Sequence, residues 1–122
     1  MQTTTNINGV LNEMLGKLRE GRMTEGQETY FADDVVTQEG ANPPLTGKQE
    51  AIERLDRFRE STGVAEFISY DIGSVAVDGN VSFYDATLRL KLDSGESIAL
   101  EQTVKTVWND EGKIVFERYY HS

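Results

Sequence analysis

Residues 98–108, IALEQTVKTVW, have the pattern of a β-strand with one buried face. Side chains two residues apart share a face of a strand, and neighbouring side chains point to opposite faces. The residues predicted to point inward are Ile98, Leu100, Gln102, Val104, Thr106 and Trp108. The residues predicted to point outward are Ala99, Glu101, Thr103, Lys105 and Val107.

Turn sequences flank this strand and recur on both sides of it. Asp-Gly-Asn at 78–80, Asp-Ser-Gly-Glu at 93–96 and Asn-Asp-Glu-Gly at 109–112 consist of residues that tight turns favour. They divide the chain from Val64 onward into four strands of an antiparallel meander. Strands of about a dozen residues twist and coil, so the sheet is expected to have a concave side.

An amphipathic helix is predicted before the meander, near the start of the chain. Its apolar residues recur at spacings of three and four, which places them on one stripe of a helix. Gly21, preceded by Lys17 and Arg19, is a typical stop signal. The apolar stripe comprises Ile7, Val10, Leu11, Met14, Leu15 and Leu18.

Two further helix starts are predicted from capping-box spacing. In this motif a threonine and a glutamine three residues later satisfy each other's free backbone N–H groups. Thr24 with Gln27 predicts a short helix, and Thr46 with Gln49 predicts a longer one over about residues 48–60.

The longer helix has an apolar side and a charged side. The charged side, which includes Arg54, is typical of a solvated face without chemistry. Between the two helices, residues 33–38 predict a short strand. Pro43 and Pro44 predict a loop, because proline cannot donate to a sheet.

Composition limits the possible partners. The 122 residues carry a net charge of −9, which repels nucleic acids and anionic membranes. No apolar run approaches the roughly 20 residues of a membrane span, and cytoplasmic residence is expected. Without cysteine, and with a single histidine, the chain offers no common zinc cluster, so we predict neither a metal nor a cofactor.

Three segments carry a resemblance to a known family: YFADDVV at 30–36, PLTGKQEAI at 44–52 and WNDEGKIV at 108–115. With the order of the predicted elements, the chain resembles the SnoaL-like branch of the nuclear transport factor 2-like superfamily. The resemblance implies an α+β, cone-shaped, barrel-like fold. In it, the N-terminal helices pack in the concavity of a strongly curved, mainly antiparallel sheet, over a single domain of residues 1–122. Because this fold hosts many functions, the resemblance implies a pocket and no particular reaction.

The resemblance also allows a test of one mechanism. Steroid isomerase-like members use a carboxylate base after the first strand, a tyrosine on the first helix and a protonated acid on the third meander strand. The matching positions here hold Glu39, Met14 and Val104. Glu39 keeps a carboxylate that can accept a proton. Met14 and Val104 cannot donate hydrogen bonds to a developing enolate, so the steroid isomerase mechanism is not expected.

The last strand supplies further candidates. Alternation places Glu117, Tyr119 and His121 on one face, and the resemblance implies that this face lines the cavity. A carboxylate, a phenol and an imidazole can bind a polar group or move a proton. In the alternative interpretation, His121 lies in a frayed chain end, Glu117 pairs with a basic residue of a neighbouring strand, and Glu39 is a solvated loop carboxylate.

Two hypotheses for the function remain open. The first is a homodimeric binding module whose mostly apolar pocket holds a small hydrophobic or amphipathic molecule. The second is a small acid–base enzyme of the isomerase, cyclase or dehydratase kind, with Glu39, Tyr119 and His121 as candidate catalytic residues. The absence of both oxyanion donors favours the first. The expected ligand-binding residues are Met14, Gln102, Val104, Thr106, Trp108 and Glu117.

Overall fold

The computed structural model describes residues 6–121, which form three helices and six strands. The helices are α1 (Ile7–Arg19), α2 (Met23–Tyr30) and α3 (Lys48–Thr62). The strands are β1 (Phe31–Glu39), β2 (Leu45–Thr46), β3 (Val64–Asp78), β4 (Val81–Leu92), β5 (Ser97–Trp108) and β6 (Ile114–His121). No helix within residues 6–121 combines the length and apolarity that crossing a bilayer requires.

All six strands belong to one sheet in the order β2-β1-β6-β5-β4-β3. The strands from β3 to β6 form the predicted antiparallel meander, and β1 joins it through a parallel pairing with β6. The register between β3 and β4 shifts at three places, and such bulges bend a strand and increase its twist. The structure confirms the predicted α+β architecture.

The predicted interior face of β5 is correct. Val104, Thr106 and Trp108 are at most 1% exposed. Val104 and Trp108 belong to the main hydrophobic core, and Thr106 lies between them on the same face of the strand. The apolar stripe of α1 completes this core from the other side. From α1, this core contains Leu11, Met14, Leu15 and Leu18.

Both capping-box predictions are wrong. The helix α2 begins at Met23, before Thr24, and the helix α3 begins after Gly47. Neither start has a side-chain cap. At α3 the cause is the backbone, because Gly47 has a φ of 112°, a conformation that only glycine adopts readily. The Thr24 hydroxyl instead accepts a hydrogen bond from Arg59 at 3.2 Å.

Candidate functional site

A row of buried polar side chains crosses the inner face of the sheet. Ser82 of β4 pairs with Thr106 of β5, Thr106 with Glu117 of β6, and Glu117 with Thr37 of β1. Each of these four side chains is at most 5% exposed. A polar row inside an otherwise apolar core is costly unless its members bond to one another, which makes it a candidate for function.

Glu117 is the ionisable member of this row. Its Oε2 accepts a hydrogen bond from the Thr106 hydroxyl at 2.8 Å, and its Oε1 accepts one from the Tyr119 hydroxyl at 2.5 Å. Burial raises the pKa of Glu117 above its ordinary 4.5, and the two hydrogen bonds and the charge of Arg54 oppose that rise. The carboxyl group can therefore hold a proton more readily than an exposed glutamate. Its hydrogen-bond partners are hydroxyl groups, not a lysine or an arginine of the neighbouring strand.

Replacing Glu117 with glutamine should change how stability depends on pH. A raised pKa in the folded state means that folding takes up a proton, so the native protein loses stability as pH rises from about 4.5 through the folded-state pKa. Glutamine can bond both hydroxyl groups and does not titrate. Relative to the wild type, Glu117→Gln should therefore gain stability as pH rises above about 4.5, measured by thermal unfolding. The exposed Glu111→Gln is the matched control, and equal pH profiles for Glu117→Gln and wild type would contradict this assignment.

A second cluster lies where β1 and β6 end side by side. Their parallel pairing places Glu39 opposite Tyr119. Glu39 Oε1 lies 2.6 Å from His121 Nε2, and Glu39 Oε2 lies 3.6 Å from a guanidinium nitrogen of Arg54. The structure thus brings together the predicted candidates Glu39, Tyr119 and His121. The prediction that Arg54 belongs to a solvated face is wrong, since α3 turns this side chain towards the sheet and leaves it 22% exposed.

Tyr119 connects the two clusters. Its hydroxyl group bonds to Glu117, and its ring lies 5.7 Å from the guanidinium carbon of Arg54, within cation–π range. Burial is the main reason why the pKa of Tyr119 lies well above its ordinary 10.0. The phenol therefore keeps its proton and can act as a hydrogen-bond donor.

Two buried tyrosines, Tyr70 of β3 and Tyr84 of β4, extend the polar groups towards β3. Gln102 donates a hydrogen bond to the Tyr70 hydroxyl at 2.8 Å, and Tyr70 donates one to the Tyr84 hydroxyl at 3.3 Å. Burial raises the pKa of Tyr70 to about 12. Sequence alternation alone could have found this network, because Tyr70, Tyr84 and Gln102 all lie on the inner face of the sheet.

An apolar cavity of about 240 Å³ lies under α3, between this helix, the turn after α1 and the strands β3 and β4. Leu55 and Phe58 of α3 form one wall, and Phe67, Leu88 and Leu90 form the facing wall on the sheet. The charged side chains in this mostly apolar lining are Arg59 and Glu66. The volume is below the roughly 300–1,000 Å³ of most ligand pockets, so it suits a small molecule.

A second cavity, of about 400 Å³, lies on the opposite face of the sheet, next to Gly73. Although it is larger, its side chains include the exposed carboxylates Asp71, Asp85 and Glu101. Asp71 is already paired with Arg89, and Asp85 accepts a hydrogen bond from Thr103. Ligand pockets are typically concave and mostly apolar, so we regard the smaller cavity as the candidate site.

The remaining predicted ligand-binding residues lie in the core. Met14, Val104 and Trp108 are at most 3% exposed, and none of them lines either of the two cavities. The indole N–H of Trp108 donates to the hydroxyl of Ser82 at 2.9 Å. Ligand contact by these three residues stays a prediction. Within residues 6–121, no group of three or more His, Cys, Asp or Glu side chains is arranged to hold a metal ion.

Comparisons with known proteins identify the fold. No family model matches the sequence, and no curated protein matches it. Among solved structures, a candidate SnoaL-like polyketide cyclase from Mesorhizobium loti is 19% identical, over 95% of this chain and 99% of that one, with a TM-score of 0.79. An NTF2-like protein of unknown function from Burkholderia pseudomallei is 17% identical, over 97% and 92%, with a TM-score of 0.78. TerC, co-crystallised with polyporic acid, is 14% identical, over 97% and 92%, with a TM-score of 0.76.

These similarities cover nearly the whole chain, and at such low identities they concern the fold. The chain has the cone-shaped fold of SnoaL-like, NTF2-like proteins, as the resemblance in its sequence predicted.

Proposed function

We propose that this protein binds a small, largely apolar organic molecule under α3. The observation that carries the proposal is the cavity between α3 and the sheet, whose walls are the apolar side chains of Leu55, Phe58, Phe67, Leu88 and Leu90. Burying apolar ligand surface there yields about 25 cal/mol per Å², the usual driving force for such binding. The TerC structure with polyporic acid supports the proposal, because it pairs a similar fold with a small organic molecule.

A thermal-shift screen tests this function. A ligand that binds only the native state raises the melting temperature, by an amount that grows with its concentration above Kd. We expect compounds with one or two rings, or with a short alkyl chain, to raise the melting temperature. If no compound of these sizes does so, and two-dimensional NMR shows no shifted resonance at Leu55 or Phe58, the proposal is wrong.

A second candidate function is acid–base catalysis, which the bond between Glu39 and His121 favours. The 2.6 Å contact lets the Glu39 carboxylate orient the imidazole, so that His121 can accept a proton from a substrate on its second ring nitrogen. The Tyr119 hydroxyl keeps its proton but already donates it to Glu117, so it can stabilise the developing charge only by turning from Glu117 to the substrate oxygen. The reaction class would be removal of a proton next to a carbonyl group.

Deuterium exchange separates the two functions. Carbonyl compounds that the screen selects are incubated in D₂O, and loss of the proton next to the carbonyl is followed by NMR. If the chain is an enzyme, the wild type should accelerate exchange. A positioned base contributes about 10²–10⁴. Glu39→Gln should therefore reduce the rate by up to about a hundredfold, because His121 then lacks the carboxylate that orients it. Glu53→Gln on the exposed side of α3 is the matched control. If the wild type binds these compounds but does not accelerate their exchange, catalysis is ruled out and only the binding function remains.

The assembly we propose is a homodimer. The outer face of the sheet exposes Phe83 by 40% and Tyr120 by 41%, and the guanidinium of Arg118 lies 4.8 Å from the Tyr120 ring. Aromatic and arginine side chains of this kind are enriched in interfaces, and covering this face with a second copy would bury them. Residence in the cytoplasm also stays a prediction.

A further inference from the structure

Arg54 is largely withdrawn from solvent, yet it makes no hydrogen bond with another described residue. Its side chain is 22% exposed, and its one ion pair, with Glu39, spans 3.6 Å, which is too long for a hydrogen bond. A guanidinium has five N–H donors. No nitrogen of Arg54 is among the buried, unpaired polar atoms of residues 6–121, so these donors face water. They are therefore open to an acceptor that comes from outside the protein.

Glu39 does not fill this role because its closer partner is His121. The oxygen Oε1 lies 2.6 Å from the imidazole, and only Oε2 faces Arg54. The ring of Tyr119, 5.7 Å from the guanidinium carbon, holds Arg54 from one side without using any of its donors. Arg54 is thus held in place by two neighbours, and its hydrogen-bonding capacity is unused.

The position of Arg54 on α3 connects it to the proposed ligand cavity. Leu55 follows Arg54 directly in the sequence. Phe58 lies four residues after Arg54, on the same side of the helix. Leu55 and Phe58 both line the cavity. Arg54 is not itself part of the cavity lining, whose charged side chains are Arg59 and Glu66. Arg59 already donates to Thr24 and lies 3.5 Å from Asp56, whereas Arg54, one turn before Phe58, makes no hydrogen bond with another described residue. This combination of an apolar cavity and a nearby guanidinium fits an amphipathic ligand with an apolar body and an acidic end.

We infer, on the premise that the proposed binding function is correct, that the ligand is an organic acid whose carboxylate binds Arg54. The planar guanidinium can hold both oxygens of a carboxylate through parallel N–H···O bonds. The apolar body would then lie against Leu55 and Phe58. His121, when protonated, adds a second positive group beside the carboxylate.

Two acidic side chains face the same region and would oppose a second carboxylate. Glu39 is already in contact with His121 at 2.6 Å and with Arg54 at 3.6 Å. Both oxygens of Glu117 already accept hydrogen bonds, from Thr106 and Tyr119, and burial raises its pKa. A third carboxylate, Glu66, lines the cavity itself, but it is exposed and its charge is screened by water. None of the three therefore prevents an anion from reaching Arg54.

Matched pairs of acids and amides test the inference. The probes are cinnamate with cinnamamide, octanoate with octanamide, and naphthoate with naphthamide, and Kd is measured by calorimetry or NMR titration. Each amide keeps the shape of its acid but lacks the charge. We expect at least one acid to bind about tenfold or more tightly than its amide, because charged hydrogen bonds are the stronger kind.

Variants of α3 locate the cause of this preference. Arg54→Gln should remove the preference for the acid and leave amide binding unchanged, whereas Arg54→Lys should keep part of it. Arg57→Gln, an equal change of charge on the exposed side of the same helix, should keep all of it. Thermal unfolding establishes that each variant is folded. The ratio of acid affinity to amide affinity in the wild type tests the inference without any variant.

The outcomes separate this inference from the function on which it rests. If amides bind as tightly as acids, or if the preference survives in Arg54→Gln, the inference is wrong and the binding function stands. If no member of any pair binds, both are wrong.

Discussion

Replacing Trp108 with alanine is expected to lower the free energy of unfolding by about 3–5 kcal/mol. Trp108 is 1% exposed, packs in the main core and donates its indole N–H to Ser82. Truncation therefore leaves a large cavity and an unpaired buried hydroxyl group. Because domains of this size are stable by only about 5–15 kcal/mol, the variant should be at the margin of folding at 37 °C. Chemical denaturation measures the change.

Two further variants make this prediction specific. Ser82→Ala, which removes only the acceptor of the indole N–H, should cost about 1–3 kcal/mol. Val75→Ala, at a side chain that is 44% exposed, should cost less than about 1 kcal/mol. If Trp108→Ala is instead nearly as stable as the wild type and loses ligand binding, then Trp108 lines the ligand site and the core assignment is wrong.

Filling the cavity under α3 should abolish ligand binding. In Leu55→Trp a bulky ring replaces a side chain of the cavity wall, and the cavity has only about 240 Å³ to accept it. We expect the affinity for the best compound of the screen to fall by about a hundredfold, or about 2.7 kcal/mol, because ring and ligand require the same space. The loss of stability should be small, since Leu55 is only half-buried and the ring enters an empty volume.

The control for Leu55→Trp is a ring of equal size on the outer side of the same helix. Arg57→Trp should bind the ligand as the wild type does. Equal affinity of Leu55→Trp and wild type, measured on protein with an unchanged NMR fold pattern, would place the ligand elsewhere.

The strands of the meander could be predicted because their signals are local. Alternation in residues 98–108 identified the inner face of β5, and the turn at 109–112 separated β5 from β6. The strand β2 was missed because two residues after a pair of prolines are too few to show a period. The helix starts were assigned to Thr24 and Thr46 because both match the sequence pattern of a capping box. The α3 helix instead begins after Gly47, whose positive φ depends on the surrounding chain and not on that pattern.

The candidate site was predictable only in its separate parts. Glu39, Tyr119 and His121 were each proposed, but the contact between Glu39 and His121 depends on the parallel pairing of β1 with β6, which joins positions 82 residues apart. Arg54 was missed because the charges around it have the pattern of a solvated helix face. Its burial results from how α3 packs against β1 and the sheet, a tertiary contact that helical periodicity does not encode.

The central claim, that the ligand lies between α3 and the sheet, is tested most directly by the structure of a complex with the tightest-binding compound from the screen. We predict that the bound molecule contacts Leu55, Phe58 and Leu88. A compound bound instead on the outer face, among Asp71, Asp85 and Glu101, with the space under α3 closed by side chains, would contradict the claim.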